Sequence, residues 1–318
     1  MADGKPKIQV VEPSAPPEPG RTGDDAPATG RARTAPPPFW LPGPLRSTWT
    51  ELQERAARIP CRLNEYGYDA FGYDPALAAR ILMPAVWLYR HWFRTQAVGV
   101  ENVPQGRVLL IANHAGNTFA YDGAILSMAL FLEGEPPRIA RGMAEYYLPT
   151  IPFFNVFLSR MGSVVGTPEN CVELLEHEEA VMVFPEGERG FVKTYRNAYK
   201  LQRFGLGFMR LAIETGTPIV PVGIVGSEEQ SPGLVRSEWL GKLIGAPVAP
   251  VTLTFPWLGP LGMLPLPVKF RVHFGEPLRF EGDPNDDDDA IQRQVDVVKD
   301  AISGLVADGL RARKGWFS

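Results

Sequence analysis

The sequence predicts an α/β fold with a largely parallel mixed sheet, flanked by helices and preceded by an N-terminal helical segment. Short apolar runs rich in β-branched residues alternate with longer helical patterns through most of the chain. Two of these runs, 108–112 and 180–184, lead directly into polar stretches that contain His, Asp, Glu and Arg. Because parallel strands end at the same edge of a sheet, we expect the two polar stretches to share one crevice.

Composition excludes several classes of protein. With 318 residues, 45% of them hydrophobic, the chain can bury a large core as one big domain or two small ones. A formal net charge of -4 argues against the strongly basic surface of nucleic-acid-binding proteins, so no nucleic-acid partner is expected. Cys61 and Cys171 are far apart and lack paired-ligand spacing, which indicates neither a disulfide framework nor a metal site.

The first part of the chain divides into a tail and a helical segment. Residues 1–45 are rich in Pro, Ala and Gly and poor in large aliphatic side chains, so we expect a disordered tail. This tail lacks the apolar core of a signal peptide, and no later stretch reaches the roughly 18 to 20 uninterrupted apolar residues of a membrane-spanning helix. Residues 46–97 contain two helical patterns, over 47–59 and 75–94.

The second helical pattern has two open interpretations. It carries many aliphatic and aromatic side chains, is interrupted by Pro84, and has Arg80, Arg90, His91 and Arg94 around them. Such a helix can lie in a membrane interface, with its aromatic side in the lipid and its basic side chains near lipid phosphates. It can equally be an ordinary amphipathic helix that packs on the protein core.

Residues 98–318 are predicted to form one α/β domain. Thr167 and Pro168 have the pattern of a helix cap followed by proline at the first helical position. After the first strand, the patterns predict a helix over 124–131, a strand over 138–141, a helix over 168–178, a strand over 180–184, a helix over 204–216 and a strand over 218–225.

The C-terminal part adds two strands and a helix. Strands are expected over 251–256 and 268–274, and the apolar loop between them, 257–267, is either buried or in contact with lipid. The acidic run 286–289 is predicted to begin a final helix that ends near Arg313. Acidic residues at a helix start and basic ones at its end suit the helix dipole, which favours a helix start over a metal site.

The first polar stretch contains His114 and Asp122, which together suit general-base chemistry. A carboxylate on one ring nitrogen of histidine holds the tautomer in which the other nitrogen accepts a proton. On one straight α-helix these residues would be about 12 Å apart, so they can meet only across a loop, which Gly116 and Asn117 favour. A histidine considered alone could equally be a hydrogen-bonded core residue.

The second polar stretch contains Glu186, Gly187 and Arg189. Glycine allows a close backbone approach, and a guanidinium can bind phosphate or carboxylate. Alone, the pair of charges could also be structural. The sequence contains no Gly-x-Ser-x-Gly nucleophile motif, no phosphate-binding Gly-Lys-Ser/Thr loop and no His-Glu-x-x-His zinc helix, which favours a base that acts directly on a substrate hydroxyl.

These residues resemble the glycerolipid and lysophospholipid acyltransferase family. The resemblance rests on Asn113-His114 with a downstream Asp, then Phe-Pro-Glu-Gly-x-Arg ending at Arg189, then Pro-Ile-Val-Pro-Val over 218–222, and it covers roughly residues 98–280. It implies a glycerol-3-phosphate acyltransferase-like fold and a catalytic domain over 98–318. It also implies acyl transfer from acyl-CoA or acyl carrier protein to a lipid hydroxyl, with His114 as base and Asp122 as its partner. Asn113, Glu186, Gly187 and Arg189 would bind substrate.

The resemblance carries further expectations. The acyl donor would be a co-substrate, no cofactor would be required, and the protein would be cytoplasmic and peripheral on the inner face of a membrane. Two alternatives stay open: a lipid or acyl-ester hydrolase in which His114 activates water, and a catalytically inactive lipid-binding homologue.

The sequence departs from the family pattern at two points. In the family pattern four residues usually separate the His from the Asp. Here Phe119 occupies the position where that Asp would stand, and seven residues separate His114 from Asp122. A longer loop, as in a subgroup resembling the mono- and diacylglycerol acyltransferases, would account for this. An arginine that helps to hold acceptor phosphate is also missing from 162–168. A phosphorylated glycerol acceptor is therefore disfavoured.

A basic face is predicted beside the second motif. Lys193, Arg196, Lys200 and Arg203 follow one another at spacings of three, four and three, with no acidic residue over 190–203. If this stretch is helical, these side chains line one side. We expect this side, with Lys193 and Arg196 nearest the motif, to bind the phosphates of CoA, the acidic carrier protein or anionic lipid, or else to be a solvated face.

Overall fold

The computed structural model describes residues 8–10, 34–146, 148–150, 153–244, 248–315 and 317. Within these residues the strands form a nine-stranded sheet and a separate pair. In chain order the strands are β1 (Ile8–Val10), β2 (Gln96–Val98), β3 (Val108–Ala112), β4 (Ala140–Ala144), β5 (Val164–Val165), β6 (Ala180–Val183), β7 (Ile219–Val225), β8 (Gly233–Ser237), β9 (Ala249–Thr252), β10 (Arg271–Phe274) and β11 (Leu278–Phe280).

Helices cover both faces of the large sheet. In chain order they are α1 (Gly43–Ala57), α2 (Pro75–Trp87), α3 (Tyr121–Glu133), α4 (Phe154–Arg160), α5 (Pro168–Glu176), α6 (Glu188–Phe191), α7 (Gly207–Thr215), α8 (Ser227–Gln230), α9 (Glu238–Ile244) and α10 (Asp288–Ala312). Leu110 and Ala112 of β3 pack into a core shared with α2 and α3. Leu109 and Ile111 pack into a second core with α5, α7 and α10. The alternation of side chains along one strand thus feeds both cores.

The predicted fold class is confirmed. Strand β3 runs parallel to β6 and β7, and β4 runs parallel to β5 and β6, whereas β10 and β11 pair antiparallel with β7. Ile111 pairs with Val183, and Ala112 pairs with Val222. The carboxyl ends of β3, β6 and β7 therefore lie at the same edge of the sheet, so both predicted motifs emerge there together.

The N-terminal helices pack on one face of the large sheet. Val86 of α2 and Tyr89 and Phe93 beyond it belong to the first core, and a π-helical turn, Leu88–Trp92, continues α2. Ile81 and Trp87 remain exposed. The packing interpretation of this helix therefore holds for one face, and membrane contact stays a prediction for the other. Within the described parts of the chain, no helix combines the length and apolarity needed to cross a bilayer.

Several predicted boundaries shift. Most of the predicted tail lies outside the described residues, but β1 pairs antiparallel with β11 within it. Helix α1 begins at Gly43 rather than Ser47, because a proline occupies its first turn, where an amide donor is not needed. Strands β4, β9 and β10 cover only part of the predicted strands 138–141, 251–256 and 268–274, respectively. The remaining residues of each predicted strand have no paired residue on a neighbouring strand among the described residues.

Candidate active site

His114 and Asp122 meet at the edge of the sheet where β3 ends. His114 lies two residues beyond the end of β3, and Asp122 lies in the first turn of α3. The ring Nδ1 of His114 is 2.7 Å from Oδ2 of Asp122. The loop between the two residues therefore folds back as required, in spite of its extra length relative to the usual family spacing.

The loop folds back because its backbone approaches neighbouring groups closely. A Cβ on Gly116 would lie 2.4 Å from the ring of Phe191, so only glycine fits there without a shift. Asn117 adopts a positive φ of 54°, which asparagine tolerates better than most residues. Its backbone amide donates to the Phe191 carbonyl at 2.8 Å. The glycine and asparagine that predicted a loop from sequence are thus the residues that make the turn.

The Asp122 carboxylate is buried, but several donors of the protein are hydrogen-bonded to it. Oδ2 accepts hydrogen bonds from Nδ1 of His114 and from the Ala115 amide at 2.8 Å, and Oδ1 accepts from the Gly123 amide at 2.8 Å. Burial opposes ionisation of this carboxyl, but its attraction to His114 and these hydrogen bonds outweigh burial and lower the pKa of Asp122. An ionised Asp122 fixes the proton on Nδ1, which leaves the lone pair of His114 on Nε2.

Aromatic rings hold the plane of the His114 ring. The ring stacks on Phe184 with centroids 4.3 Å apart and planes 22° apart, and Phe191 lies tilted at 5.1 Å. The His114 side chain keeps 12% of its surface exposed, so the ring is enclosed but reachable. This arrangement presents one lone pair from a fixed position, which is what a general base needs.

Glu186 contacts protein groups around the base. Its Oε1 accepts from the His114 amide at 3.0 Å, and its Oε2 accepts from the Gln202 amide at 2.7 Å. The ammonium of Lys193 lies 3.4 Å from the same Oε2. The contacts of Glu186 within the protein thus position the backbone of His114, and contact with an acceptor remains a prediction.

Gly187 and Arg189 line an open cavity beside Glu186. Gly187 has φ 54° and ψ -144°, a backbone conformation that is strained for residues with a side chain. Arg189 is exposed, and with Arg203 it lines a cavity of about 320 Å³. The two guanidiniums can bind an anionic or strongly polar group there.

Asn113 is engaged with the sheet. Its Oδ1 accepts from the Ile224 amide at 2.7 Å, and its Nδ2 donates to the Ile224 carbonyl at 2.9 Å. Both ends of this side chain therefore tie the end of β3 to β7. The side chain is 1% exposed, and its contact with substrate stays a prediction.

The predicted basic helix over 190–203 does not form. Helix α6 ends at Phe191, one 3₁₀ turn follows, and Tyr199 has a positive φ of 59°. Arg196 is exposed, so its predicted contact with phosphate stays a prediction. The helical pattern predicts that Lys193 lies on the basic side with Arg196, and this prediction is wrong, because Lys193 is only 4% exposed. It cannot belong to a solvent-facing basic face.

Lys193 instead joins two buried carboxylates. Its Nζ lies 3.4 Å from Glu186 and 3.2 Å from Glu228, and the three side chains are at most 2% exposed. Because Glu186 also accepts from the His114 amide, Lys193 is linked to the base through one intervening residue. We call Glu186, Lys193 and Glu228 the buried charge cluster.

Sequence reasoning missed helix α8, which follows β7 at the same edge. Gln230 donates from Nε2 to the Gly116 carbonyl at 2.7 Å, and the Ser231 carbonyl accepts from Nδ2 of Asn117 at 2.7 Å. Glu229 accepts from the hydroxyl of Tyr199 and pairs with Arg313. The sequence does carry a signal: the polar run Ser-Glu-Glu-Gln begins two residues after a buried strand, much as the two polar motifs follow theirs.

Comparison with known proteins agrees with this geometry. The sequence profile of the family described as "Acyltransferase" matches residues 94–225, which contain both polar motifs and β7. An uncharacterized protein of Mycobacterium tuberculosis is 36% identical over 259 residues, which cover 80% of this chain and 72% of that protein. The chain belongs to the acyltransferase family. Acyl transfer is therefore the class of reaction of this acyltransferase.

Other relatives of the acyltransferase have descriptive names. The mouse "DGAT1/2-independent enzyme synthesizing storage lipids" is 25% identical over 221 residues, 68% of this chain and 60% of that protein. Among solved structures, the 1-acyl-sn-glycerophosphate acyltransferase PlsC from Thermotoga maritima covers 74% of this chain and 83% of its own, with 20% identity and a TM-score of 0.45.

Glu228 is expected to make the acyltransferase less stable as pH rises from 4.5 to about 7. Burial, opposed by the charge of Lys193, raises the pKa of Glu228 from 4.5 to about 7. Between these values the folded protein holds a proton that the unfolded chain has released, so the free energy of unfolding falls with rising pH.

Urea unfolding at several pH values measures this fall. It should be smaller in Glu228→Gln than in the wild type, and unchanged in Glu214→Gln, whose side chain is exposed on α7. Equal pH dependence in the two variants would contradict the assignment.

Proposed function

We propose that this acyltransferase moves a fatty acyl group from acyl-CoA or acyl carrier protein to the hydroxyl of a glycerolipid or related lipid. The observation that carries the proposal is the 2.7 Å contact between Nδ1 of His114 and Asp122 in a chain of this family. It supports His114 as the base and Asp122 as the group that orients it.

The proposed reaction needs few parts. Nε2 of His114 takes the proton of the acceptor hydroxyl while the oxygen attacks the thioester carbonyl. The tetrahedral intermediate then collapses, the carbon–sulfur bond breaks, and the thiolate receives the proton from His114. Thiolates leave readily, so the scheme requires no cofactor besides the acyl donor, and it forms no covalent acyl-enzyme.

The cavity beside Glu186 suits the polar end of the acceptor. Arg189 and Arg203 supply donors to it, and Glu186 connects its wall to the His114 backbone. The segment 162–168 lacks the additional arginine that the resemblance leads one to expect for a phosphorylated acceptor. Together with the name of the mouse relative, this favours a neutral acceptor such as an acylglycerol. We place the enzyme on the cytoplasmic face of a membrane, where such lipids dissolve.

An assay with purified protein tests the proposal. Radiolabelled acyl-CoA or acyl carrier protein is incubated with monoacylglycerol, diacylglycerol, lysophosphatidate or glycerol 3-phosphate, and the lipids are separated. We expect labelled product with an acylglycerol. Release of labelled free acid would point to the hydrolase instead, and the absence of both products would point to an inactive lipid-binding protein.

A further inference from the structure

The chain between α8 and β10 exposes an unusual number of large apolar side chains. We call residues 231–267 the apolar excursion. Trp239 is 74% exposed, and Trp257 and Leu261 are each 70% exposed. The exposed members are Leu234, Val235, Trp239, Leu253, Trp257, Leu258, Leu261, Met263 and Leu264. Soluble monomers rarely leave so much apolar surface in one region without a partner.

The described residues of the apolar excursion, 231–244 and 248–267, have a defined fold that leaves these side chains exposed. Strands β8 and β9 pair antiparallel. Beyond β9, the chain turns back on itself: the Leu258 amide donates to the Thr254 carbonyl at 2.9 Å, and the Thr254 hydroxyl donates to the Gly262 carbonyl at 2.8 Å. The exposure is therefore a property of a folded segment.

Both ends of the apolar excursion hold the loop that carries the base. At its start, the Ser231 carbonyl accepts from the Asn117 side-chain amide at 2.7 Å. Near its end, the Met263 carbonyl accepts from the Thr118 hydroxyl at 3.4 Å. Residues 115–121 thus link the active site to the apolar excursion, and Phe119 in this loop is itself 42% exposed.

The charge of the apolar excursion indicates what covers it. Across these residues the sequence contains one acidic side chain, Glu238, and two basic ones, Arg236 and Lys242. Arg236 is already paired with Glu188. A specific protein partner is usually oriented by complementary charges, which this surface hardly provides. Exposed tryptophans among aliphatic side chains suit the boundary between lipid headgroups and acyl chains.

We propose that the apolar excursion inserts into the surface of a lipid bilayer and sets the mouth of the active site against it. The inference rests on the proposed function, because a hydroxyl of a membrane-dissolved lipid would then reach His114 without crossing water. It goes beyond that function by assigning membrane contact to this segment rather than to the aromatic helix at 75–94.

Vesicle binding tests the surface without any acyl donor. The full chain is sedimented with sucrose-loaded phosphatidylcholine vesicles, as wild type and as the double variant Trp257→Ser, Leu261→Ser. Both side chains are largely exposed, so their loss leaves the fold intact. We expect about tenfold weaker binding or more in the double variant. Trp40→Ser, which removes a tryptophan that is 69% exposed before α1, is the matched control and should bind normally.

Three outcomes would overturn the proposal. The first is binding that disappears in about 1 M salt, since charge attraction is screened whereas apolar insertion persists. The second is loss of binding in Trp87→Ser on α2 but not in the double variant, which would assign membrane contact to that helix. The third is a wild-type dimer that the double variant converts to a monomer with unchanged vesicle binding, which would make a second copy the occupant.

A transfer assay separates this proposal from the proposed function. With acceptor dispersed in detergent, the double variant should keep the wild-type kcat, because the substituted residues lie outside the site. With acceptor in vesicles, its rate should fall in parallel with its binding. A wild type that binds vesicles through this surface but transfers no acyl group to any acceptor would refute the function and leave the surface assignment standing.

Discussion

Replacing His114 with alanine is expected to lower kcat for acyl transfer by about 10² to 10⁴. Nε2 of this ring is the lone pair that the Asp122 contact leaves available, and no other histidine contacts Asp122 among the described residues. Steady-state rates with acyl-CoA and an acylglycerol measure the loss, and circular dichroism checks that the sheet persists. His114→Gln, which fills more of the space between Phe184 and Phe191, should be equally inactive.

The partner variant Asp122→Asn distinguishes a base from a structural histidine. An asparagine amide can donate to Nδ1, which would move the ring proton to Nε2 and remove the acceptor. We therefore expect a loss of kcat comparable to that of His114→Ala.

His177→Ala is the control for both variants. His177 precedes β6 and therefore lies at the opposite edge of the sheet from the residues that follow β3. Its removal should leave kcat unchanged. A kcat in His114→Ala above about one tenth of the wild-type value would sink the base assignment.

The meeting of His114 and Asp122 was predictable because its causes are local. A buried strand predicts where a polar segment emerges, and Gly116 and Asn117 predict a turn, so the two side chains could be expected at one edge. The final distance of 2.7 Å depends on longer-range contacts, chiefly those of Phe191, Gln230 and Ser231 with the loop. These residues lie far along the chain, and their contacts leave no local pattern.

The buried charge cluster could not be predicted for a similar reason. The spacing of basic residues over 190–203 is compatible with a helix, and a helical pattern places Lys193 with Arg196 on one solvated side. Glu228, which lies 35 residues from Lys193 in sequence, is the group that holds Lys193 inside. The spacing of residues along the sequence predicts which side chains share a face of a helix or strand. It predicts nothing about their positions when that helix or strand does not form.

The apolar loop at 257–267 shows how structure can exclude one of two open interpretations. Its sequence was compatible with burial or with lipid contact. In the structure Trp257, Leu258 and Leu261 are each at least 59% exposed, so burial within the chain fails for these side chains. Apolar composition alone predicts that a segment avoids water, and only the fold determines whether protein or another phase provides the cover.

Replacing Lys193 with methionine is expected to lower the free energy of unfolding by about 3 to 5 kcal/mol. Methionine occupies a similar volume but removes the positive charge that contacts both Glu186 and Glu228, which are buried. Two carboxylates would then share an apolar site without a counter-ion, and at least one of them would have to bind a proton or draw in water. Urea unfolding followed by tryptophan fluorescence measures the change.

Lys200→Met is the matched control, because it removes the same charge from an exposed side chain in the same segment. Its expected effect is within about 0.5 kcal/mol. Equal destabilisation by the two substitutions would contradict a role for the cluster in stability.

Adding Glu228→Gln to Lys193→Met should recover part of the loss, since the neutral amide leaves Glu186 as the one carboxyl group of the cluster. A double-mutant cycle over these substitutions therefore measures the coupling between the residues directly.

The same variants connect stability to catalysis. Glu186 holds the His114 amide at 3.0 Å, so a disturbed cluster should move the base. We expect kcat of folded Lys193→Met to fall while the KM for acyl donor stays near the wild-type value, which is the opposite of what an exposed phosphate-binding lysine would produce.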